Sequence, residues 1–538
     1  MKKFFYSFFL FTFSYAIVTA QRPSNALNQE NIDNFNKLGF AFSQIINFYV
    51  DEVGSGKVAE DAIKGMLEKL DPHSSYTNAE ETRKMNEPLE GNFEGIGIQF
   101  NMFNDTLYIL QVIPGGPSEK VGLLAGDRIV MVDDTVIAGV KMYSSDIVKL
   151  IRGKKGTEVR IKIKRNLSDD NLDFKIIRDN IPVFSIDASY MADPTTGYIR
   201  LSRFSATSLD EFKKAISELK KKGMENLILD LQENGGGYLQ VAFLLADQFL
   251  DKDKLIVFTQ GNRMRRSDAI STEQGVYKEG KLVILINEFS ASASEIVAGA
   301  IQDWDRGVLV GRRSFGKGLV QRSIDLPDSS MIRLTVARYY TPSGRNIQKP
   351  YEIGNTEAYQ RELIVRDKHG ELLHADSIHF PDSLKFSTLV SKRTVYGGGG
   401  IMPDVFVPID TTHSTEYHAK LMRLGLINRM SMTYLDNNRQ GLNVEYPTIQ
   451  SFKEKFIVTD AILEQLVKMA EAENIAFVEE QFTQSKESIS IQLKALIASN
   501  LFDSSDYFEI INEKNDSFLK ALQLINDDAL YAKILSGE

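Results

Sequence analysis

The sequence predicts a multidomain α/β protein, and three patterns along its 538 residues support that fold class. Between Asn226 and Val310, short apolar runs alternate with helical patterns, which is typical of a parallel sheet covered on both faces. Short β-rich runs separated by Gly and Pro turns occupy residues 91–168. Apolar residues at helical spacing occur towards both ends of the chain.

The first 20 residues have the pattern of a secretory signal peptide. Lys2 and Lys3 precede the apolar run Phe4–Val18, and the small pair Thr19-Ala20 follows it. The alternative is a membrane anchor, but the run has 15 residues, fewer than the roughly 20 that span a bilayer. We therefore expect cleavage after about Ala20 and an exported, soluble mature protein.

Residues 21–90 are predicted to form an N-terminal helical region, because apolar residues recur at helical spacing and Gly54–Gly56 divides them into two helices. Residues 91–168 are predicted to form a small domain of strands with one helix, Ser144–Ile151. The α/β core follows over residues 169–410, and residues 411–538 form a helical C-terminal extension. The extension holds 12 Lys or Arg and 19 Asp or Glu, so −7 of the total charge of −9 lies there.

Composition excludes several kinds of chemistry. The chain has no cysteine, which rules out disulfides, thiolate nucleophiles and cysteine-ligated metal sites. Its net charge of −9 argues against a general nucleic-acid-binding protein, which is usually basic. Of the six histidines, His73 lies in the N-terminal helical region and the others follow from His369 onward, so none lies in the α/β stretch that holds the candidate serines.

The segment Gly311–Gly318 is close to the phosphate loop of nucleotide-binding proteins, but two features argue against that interpretation. Gly318 stands where a magnesium-binding Ser or Thr belongs, and Leu319–Ile324 alternates like a strand where a helix should follow. We therefore expect no nucleotide to bind.

Three further segments carry candidate chemistry, and each has an ordinary alternative. The turn Ser290–Glu295 could expose a nucleophilic hydroxyl beside the first amides of a helix, or it could be an N-cap in tight packing. Lys317 could act as a general base if burial lowers its pKa from about 10.4 towards roughly 7–8, or it could be a solvated turn residue. The turn Glu233–Gly237 could present free amides to a ligand, or only connect a strand to a helix.

Together and in this order, these segments resemble the C-terminal processing, or tail-specific, proteases, a family of serine/lysine-dyad endopeptidases. The motifs that carry the resemblance lie between about residues 30 and 410: Tyr49–Val53, Leu70–Tyr76, Gly95–Gly97, Ala125–Asp127, Gly235–Gly237, Ser290–Glu295, Phe315–Gly318, Thr341–Gly344 and Gly398–Asp404. The resemblance implies a crotonase/Clp-protease-like α/β core with an inserted PDZ domain, and only the acidic extension lies outside it.

The resemblance also implies roles for individual residues. Ser292 corresponds to the catalytic serine, Lys317 to its general base, and Gln321 to a residue that positions the lysine. The oxyanion hole corresponds to the backbone amides of Ala293 and Gly236.

Asp303 fills an acidic position whose supporting role is either electrostatic or structural. The glycine turn departs from the family pattern at Gln232, Glu233 and Gly235, which affects only the fine geometry of the oxyanion hole. The resemblance implies no metal or cofactor.

Residues 91–168 resemble a PDZ domain, in which a peptide adds to a sheet edge and backbone amides bind its terminal carboxylate. The candidate amides are those of Ile96, Gly97 and Ile98. We therefore expect a periplasmic serine endopeptidase that binds proteins or peptides with free C-termini and cleaves them upstream. The alternative is a peptide-binding adaptor or chaperone with an inactive core. The C-terminal extension is a candidate surface for oligomerisation or for an adaptor.

Overall fold

The structure is a computed structural model that describes residues 28–103, 105–165 and 170–538. The predicted signal peptide, residues 1–20, lies outside the described residues. The chain divides into two units, and the described part of the first unit ends at Lys69. That unit contains α1 (Gln29–Phe48) and α2 (Ser55–Leu67), so the two predicted helices are present, but α2 already begins after Gly54, within the predicted break.

The second unit, Leu70–Glu538, begins with a segment that joins the core. Its first elements are β1 (Ser75–Thr77) and α3 (Ala79–Glu90). Asn78 and Glu81 form a capping box that starts α3, and Gly91 ends the helix in a left-handed conformation. β1 pairs antiparallel with the core strand Met331–Tyr340, so part of the predicted N-terminal helical region is a strand of the core.

The β-rich region follows. The one helix that was predicted for it, Ser144–Ile151, has the predicted bounds. Its elements are β2 (Asn92–Gly95), β3 (Ile98–Phe103), β4 (Thr106–Val112), α4 (Pro117–Lys120), β5 (Arg128–Val132), β6 (Thr135–Val136), α5 (Ser144–Ile151), β7 (Glu158–Lys164), β8 (Asn171–Ile177) and β9 (Asp179–Pro182). The strand order is β3-β4-β5-β7-β8, with β6 paired to β5 and β2 paired separately to β9. Because β8 pairs with β7 along its whole length, this sheet continues beyond the predicted domain boundary at residue 168.

The core alternates strands and helices as predicted. Its elements are β10 (Ile186–Met191), β11 (Thr196–Leu201), α6 (Ser208–Lys221), β12 (Asn226–Asp230), α7 (Leu239–Ala246), β13 (Leu255–Gln260), β14 (Ser267–Ile270), β15 (Leu282–Ile286), α8 (Ala293–Asp303), β16 (Val308–Gly311), β17 (Leu319–Asp325), β18 (Met331–Tyr340), α9 (Thr356–Lys368), β19 (Lys385–Ser387), β20 (Thr394–Tyr396) and β21 (Val405–Phe406). One sheet has the order β10-β11-β12-β15-β16-β21 and is parallel from β11 onward. A second, antiparallel sheet has the order β1-β18-β13-β14, with β17 on β18.

The C-terminal extension is helical, as predicted. Its helices are α10 (Glu416–Arg423), α11 (Leu426–Glu445), α12 (Ile449–Lys455), α13 (Asp460–Ala472), α14 (Glu479–Leu501), α15 (Asp506–Ile511), α16 (Asp516–Ile525) and α17 (Asp528–Ser536). Helices α10 to α14 share an apolar core of their own.

The last two helices do something the sequence did not predict: they cover the parallel sheet of the core. Leu524 of α16 and Tyr531 of α17 belong to one apolar cluster with Ile228 and Leu285. The Tyr531 hydroxyl also donates a hydrogen bond to the Leu282 carbonyl at 3.0 Å. Helices α6, α7 and α8 pack on the opposite face of the sheet, so the predicted α/β class is confirmed and its second layer comes from the extension.

Candidate active site

Ser292 lies at the turn from the buried strand β15 into helix α8. Its φ is +56°, in the left-handed region that a residue with a side chain rarely adopts. Backbone strain at a strand-to-helix turn is typical of exposed nucleophiles. The neighbouring Ser290 and Ser294 are fully buried, and their hydroxyls donate to the carbonyls of Leu231 and Asn234, each at 2.8 Å. Those two serines are therefore structural, whereas Ser292 is only half-buried.

Ser292 faces a cavity of about 650 Å³ within the second unit. The side chains or backbone of Lys317, Gln321, Tyr339 and Gly236 line the same cavity. Helix α3 forms part of its wall through Met85, Pro88 and Leu89. The structure therefore brings the sequence-predicted serine, lysine and glutamine to one place.

Lys317 lies in the loop between β16 and β17. Burial, together with the positive charge of Arg333, lowers the pKa of Lys317 to about 8, while Glu295 and Asp71 act in the opposite direction. Within the described part of the chain, its Nζ has no hydrogen-bond partner. An amine with this pKa is partly neutral at mildly alkaline pH and can accept a proton.

Glu295 connects the serine turn to the lysine loop. Its carboxylate is fully buried and accepts hydrogen bonds from the backbone N–H groups of Ser292 at 2.8 Å, Gly316 at 2.7 Å and Lys317 at 2.9 Å. It also accepts from the Ser314 hydroxyl at 2.6 Å. One side chain thus fixes the distance between the two loops. The only sequence signal was its position three residues after Ser292, which matches a capping box.

A buried tyrosine makes a second connection between the same loops. The Tyr339 hydroxyl donates to the Lys317 carbonyl at 2.6 Å and lies 3.3 Å from the Ser292 carbonyl. Burial raises the pKa of Tyr339 far above its ordinary value, so the hydroxyl stays protonated and continues to donate. Nothing in the sequence around Tyr339 indicated this role.

The side chain of Gln321 belongs to a hydrogen-bond network that begins at Asp71. Gln321 Nε2 donates to Thr335 Oγ1 at 3.4 Å, and Thr335 Oγ1 donates to Asp71 Oδ1 at 2.9 Å. The Ser74 hydroxyl donates to the other Asp71 oxygen at 2.5 Å. Among the described residues, no hydrogen bond joins Gln321 to Lys317. The motif Leu70–Tyr76 therefore supports the site from the segment that leads into β1, a role the sequence did not assign to it.

His73 of the same motif also lies close to Lys317, although it is distant in sequence. Burial lowers the pKa of His73 to about 4, and the charge of Lys317 contributes to the shift. Its Nε2 lies 2.8 Å from the Tyr359 hydroxyl. This imidazole is therefore neutral at pH 7, and it is already in contact with a hydroxyl.

The two predicted oxyanion-hole residues lie next to each other, but their backbone N–H groups differ in whether they already have a hydrogen-bond partner. A Cβ on Gly236 would lie 2.9 Å from the Ser292 Cβ and 3.0 Å from the Ala293 nitrogen, so only glycine fits against the turn. The Ala293 N–H, the first of α8, has no hydrogen-bond partner among the described residues. The Gly236 N–H instead donates to Asn234 Oδ1 at 2.9 Å.

Asp303 lies at the other end of α8, roughly 15 Å from Ser292 at 1.5 Å per residue. Its buried carboxylate pairs with Arg345 at 2.8 Å and accepts from the Ser343 N–H at 2.9 Å. Asp303 is not among the described residues that line the cavity. Of the two roles left open by the sequence, these contacts favour the structural one.

The candidate carboxylate loop of the β-rich region lies at the start of the edge strand β3. Gly97 has a φ of +79°, and its carbonyl accepts from the Ile113 N–H at 3.0 Å. Ile96 is buried, and its carbonyl accepts from the Ser118 N–H at 3.0 Å. In the described chain, the N–H groups of Ile96 and Gly97 have no acceptor. Ile98 begins β3 and pairs with Val112.

Comparison with known families assigns four segments. Residues 195–356 match Peptidase family S41, and residues 95–176 match the PDZ domain. Residues 11–82 match the N-terminal domain of the activating protease CtpB, and residues 417–503 match a family of unknown function. The PDZ match ends within β8, in agreement with the observed sheet.

A carboxy-terminal-processing protease from Bartonella bacilliformis is 38% identical over 337 residues, which cover 62% of this chain and 76% of that protein. The chain belongs to the carboxy-terminal-processing protease family. The protease is also 37% identical over 317 residues to the carboxy-terminal processing protease CtpA of Bacillus subtilis, over 59% of this chain and 67% of that protein. It is therefore a serine-type endopeptidase with a PDZ domain, which confirms the predicted family.

Solved structures similar to this protease include the photosystem II D1 C-terminal processing protease, at 27% identity and a TM-score of 0.34, over 60% of this chain and 91% of that chain. A PDZ domain of a carboxy-terminal protease from Vibrio cholerae, in complex with peptide, is 33% identical over 17% of this chain and 97% of that chain, with a TM-score of 0.16. In the described part of the protease, no helix is both long enough and apolar enough to cross a membrane.

Proposed function

We propose that this protease cleaves exported proteins upstream of a free C-terminus, with Ser292 as the nucleophile and Lys317 as the general base. The observation that carries the proposal is that Ser292 and Lys317 line the same cavity while burial lowers the pKa of Lys317 to about 8. A serine hydroxyl needs a base, and a desolvated lysine is one of the few side chains that can accept its proton near neutral pH.

In the proposed reaction, neutral Lys317 takes the hydroxyl proton as Ser292 Oγ bonds to the carbonyl carbon of the scissile peptide. The carbonyl oxygen becomes an oxyanion that accepts from the free Ala293 N–H, and from the Gly236 N–H once it exchanges its Asn234 partner. Protonated Lys317 gives its proton to the leaving amine as the C–N bond breaks. Water then hydrolyses the acyl-enzyme, with Lys317 again as the base.

Gln321 positions the Lys317 amine in this proposal. Its amide lies in the same cavity and is held only by a long contact of 3.4 Å to Thr335, so a small rotation brings it towards the lysine. Asp303 supports helix α8 from the end opposite Ser292 through its ion pair with Arg345.

We assign recognition of the substrate C-terminus to the PDZ domain. The amides of Ile96, Gly97 and Ile98 bind the terminal carboxylate, and the peptide extends along the edge strand β3. The free N–H groups of Ile96 and Gly97 support this assignment. The signal-peptide pattern of residues 1–20 supports export, and we propose a periplasmic location. Helices α10 to α14 are the proposed surface for an oligomer or an adaptor.

The test incubates the full-length mature protein with a peptide that has a free C-terminus and identifies the products by mass spectrometry. Ser292→Ala and Lys317→Ala should each lower cleavage by at least about a thousandfold, as for other catalytic serine and base residues. The control Ser217→Ala, at an exposed position of α6, should cleave like the wild type. Cleavage that persists in Ser292→Ala would show that another group is the nucleophile.

A second arm compares the same peptide with its C-terminal amide. If backbone amides of the PDZ domain bind a carboxylate, the amidated peptide should be cleaved more slowly, mainly through a higher KM. Equal cleavage of the two peptides would overturn recognition of the chain end and would leave the assignment of Ser292 and Lys317 untouched.

A further inference from the structure

The catalytic cavity is positively charged. Its lining includes three cationic side chains, Lys317, Arg203 and Arg333, and the described residues that line it include no carboxylate. Arg203 follows β11 of the parallel sheet, whereas Arg333 lies in β18 with Cα partners Ser75 and Ser323. The two arginines therefore approach the cavity from different sheets.

In the described part of the chain, neither arginine has an ion-pair partner. Across residues 28–103, 105–165 and 170–538, the guanidinium groups of Arg203 and Arg333 make no ion pair or hydrogen bond. The titratable groups that interact with Arg333 are Tyr238 and Lys317, and Asp187 interacts with Arg203. The Asp187 carboxylate accepts from the Ser202 hydroxyl at 2.8 Å, and burial raises its pKa.

Three other arginines of the core behave differently, because each has a carboxylate partner. The pairs are Arg200 with Asp230 at 2.7 Å, Arg312 with Glu288 at 2.7 Å and Arg345 with Asp303 at 2.8 Å.

The two carboxylates that act on the charge of Lys317, Glu295 and Asp71, are not among the described residues that line the cavity. Glu295 is occupied by Ser292, Ser314, Gly316 and Lys317 donors, as described above. Asp71 accepts from the backbone N–H groups of His73 and Ser74 and from the hydroxyls of Ser74 and Thr335. Both side chains are buried and, in the described part of the chain, neither forms an ion pair with Arg203 or Arg333.

We propose that this cavity selects substrates that place a carboxylate beside Arg333 and Arg203, close to the scissile bond. The proposal rests on the proposed function and adds a substrate class to it. A bound substrate excludes water, and guanidinium groups without a counter-charge are costly to bury. A carboxylate removes this cost, since it matches the planar guanidinium with charge-assisted hydrogen bonds. An Asp or Glu side chain and a chain-terminal carboxylate supply the same chemistry.

The experiment compares peptides that differ only by Glu against Gln at each residue around the mapped cleavage site, with free and with amidated C-termini. The kcat/KM values are measured about two pH units above the pKa of Lys317, because loss of Arg333 also changes the protonation of that lysine. The variants are Arg333→Gln, Arg203→Gln and the charge-conserving Arg333→Lys. Arg361→Gln is the control, since Arg361 lies on α9 with its side chain 69% exposed.

We expect the wild type and the Arg361→Gln control to prefer the carboxylate peptide by about tenfold or more in kcat/KM. The preference should fall towards unity in Arg333→Gln and Arg203→Gln and should largely persist in Arg333→Lys. If the peptides with Glu are cleaved faster than those with Gln, the cavity binds a side-chain carboxylate. If instead the peptides with a free C-terminus are cleaved faster than the amidated ones, it binds the carboxylate of the chain end.

Equal kcat/KM for all peptides in the wild type would overturn this substrate class, while the cleavage itself would leave the proposed function standing. The same peptides are also titrated against Ser292→Ala by fluorescence anisotropy, with and without Arg333→Gln. This arm tests the carboxylate preference through binding alone. If the wild type cleaves no peptide, the proposed function fails, and the binding titration still decides whether the cavity selects a carboxylate.

Discussion

At the scale of single residues, burial and packing determine the properties of the two central side chains of the site. In the proposed mechanism Lys317 can act as the base because burial disfavours its ammonium form, and Ser292 is presented by a backbone conformation that the packing of β15 and α8 imposes. Both residues could be identified from the sequence, because the serine turn and the glycine-flanked lysine are short local motifs. The partner of the Gly236 amide could not be identified, since it depends on the rotamer of Asn234.

The pKa of Lys317 predicts a rising pH profile. Only the neutral amine accepts a proton, so kcat/KM should increase as the pH rises through about 8 and level off above it. Arg333 lowers the pKa of Lys317, so Arg333→Gln should move the rise in kcat/KM to higher pH. The measurement is kcat/KM against pH over about two units on each side of the midpoint. A decrease in kcat/KM as the pH rises through this range would contradict lysine as the base.

At the scale of elements, one helix terminus and one loop are joined into a rigid unit. Helix α8 begins at the serine turn, and Glu295 in its first turn accepts from the loop that carries Lys317. The strands that flank these loops were predicted within a few residues from continuous apolar runs, because β12, β15 and β16 are almost completely buried. The short strand β1 was not predicted, since it is defined by pairing with β18, which lies far along the chain.

Glu295→Gln tests the connection between the two loops. The amide keeps the shape but turns one acceptor oxygen into a donor, which leaves buried backbone N–H groups without partners at about 1–3 kcal/mol each. We expect kcat to fall by at least about a hundredfold, which corresponds to roughly 2.7 kcal/mol.

The pH profile separates this effect from general unfolding. The charge of Glu295 raises the pKa of Lys317. In Glu295→Gln this charge is absent, so the remaining activity should rise with pH at a lower midpoint than in the wild type. Circular dichroism at the assay temperature checks that the variant is folded, and Glu279→Gln, at an exposed position, is the control. If Glu295→Gln has the kcat of the wild type and the same midpoint in its pH profile, the carboxylate does not organise the site.

At the scale of the whole chain, the acidic extension is part of the catalytic fold and not only an appendage. Its charge and helical periodicity were visible in the sequence, but periodicity does not show what a helix packs against. Helices α16 and α17 cover the face of the parallel sheet that α6, α7 and α8 leave open. The extension also contacts the PDZ domain through an ion pair between Arg128 and Asp436 at 3.2 Å.

This arrangement predicts that one face of α16 stabilises the protease core. Leu524 is fully buried against the sheet, so Leu524→Ala should lower the free energy of unfolding by about 2–5 kcal/mol. Leu519 lies on the same helix but is 42% exposed, so Leu519→Ala should change it by less than about 0.5 kcal/mol. Urea unfolding followed by both circular dichroism and peptidase activity measures the difference. Because α16 packs on the sheet that positions Ser292, activity and secondary structure should be lost together in Leu524→Ala. A urea midpoint equal to that of Leu519→Ala would show that the extension is not a layer of the core.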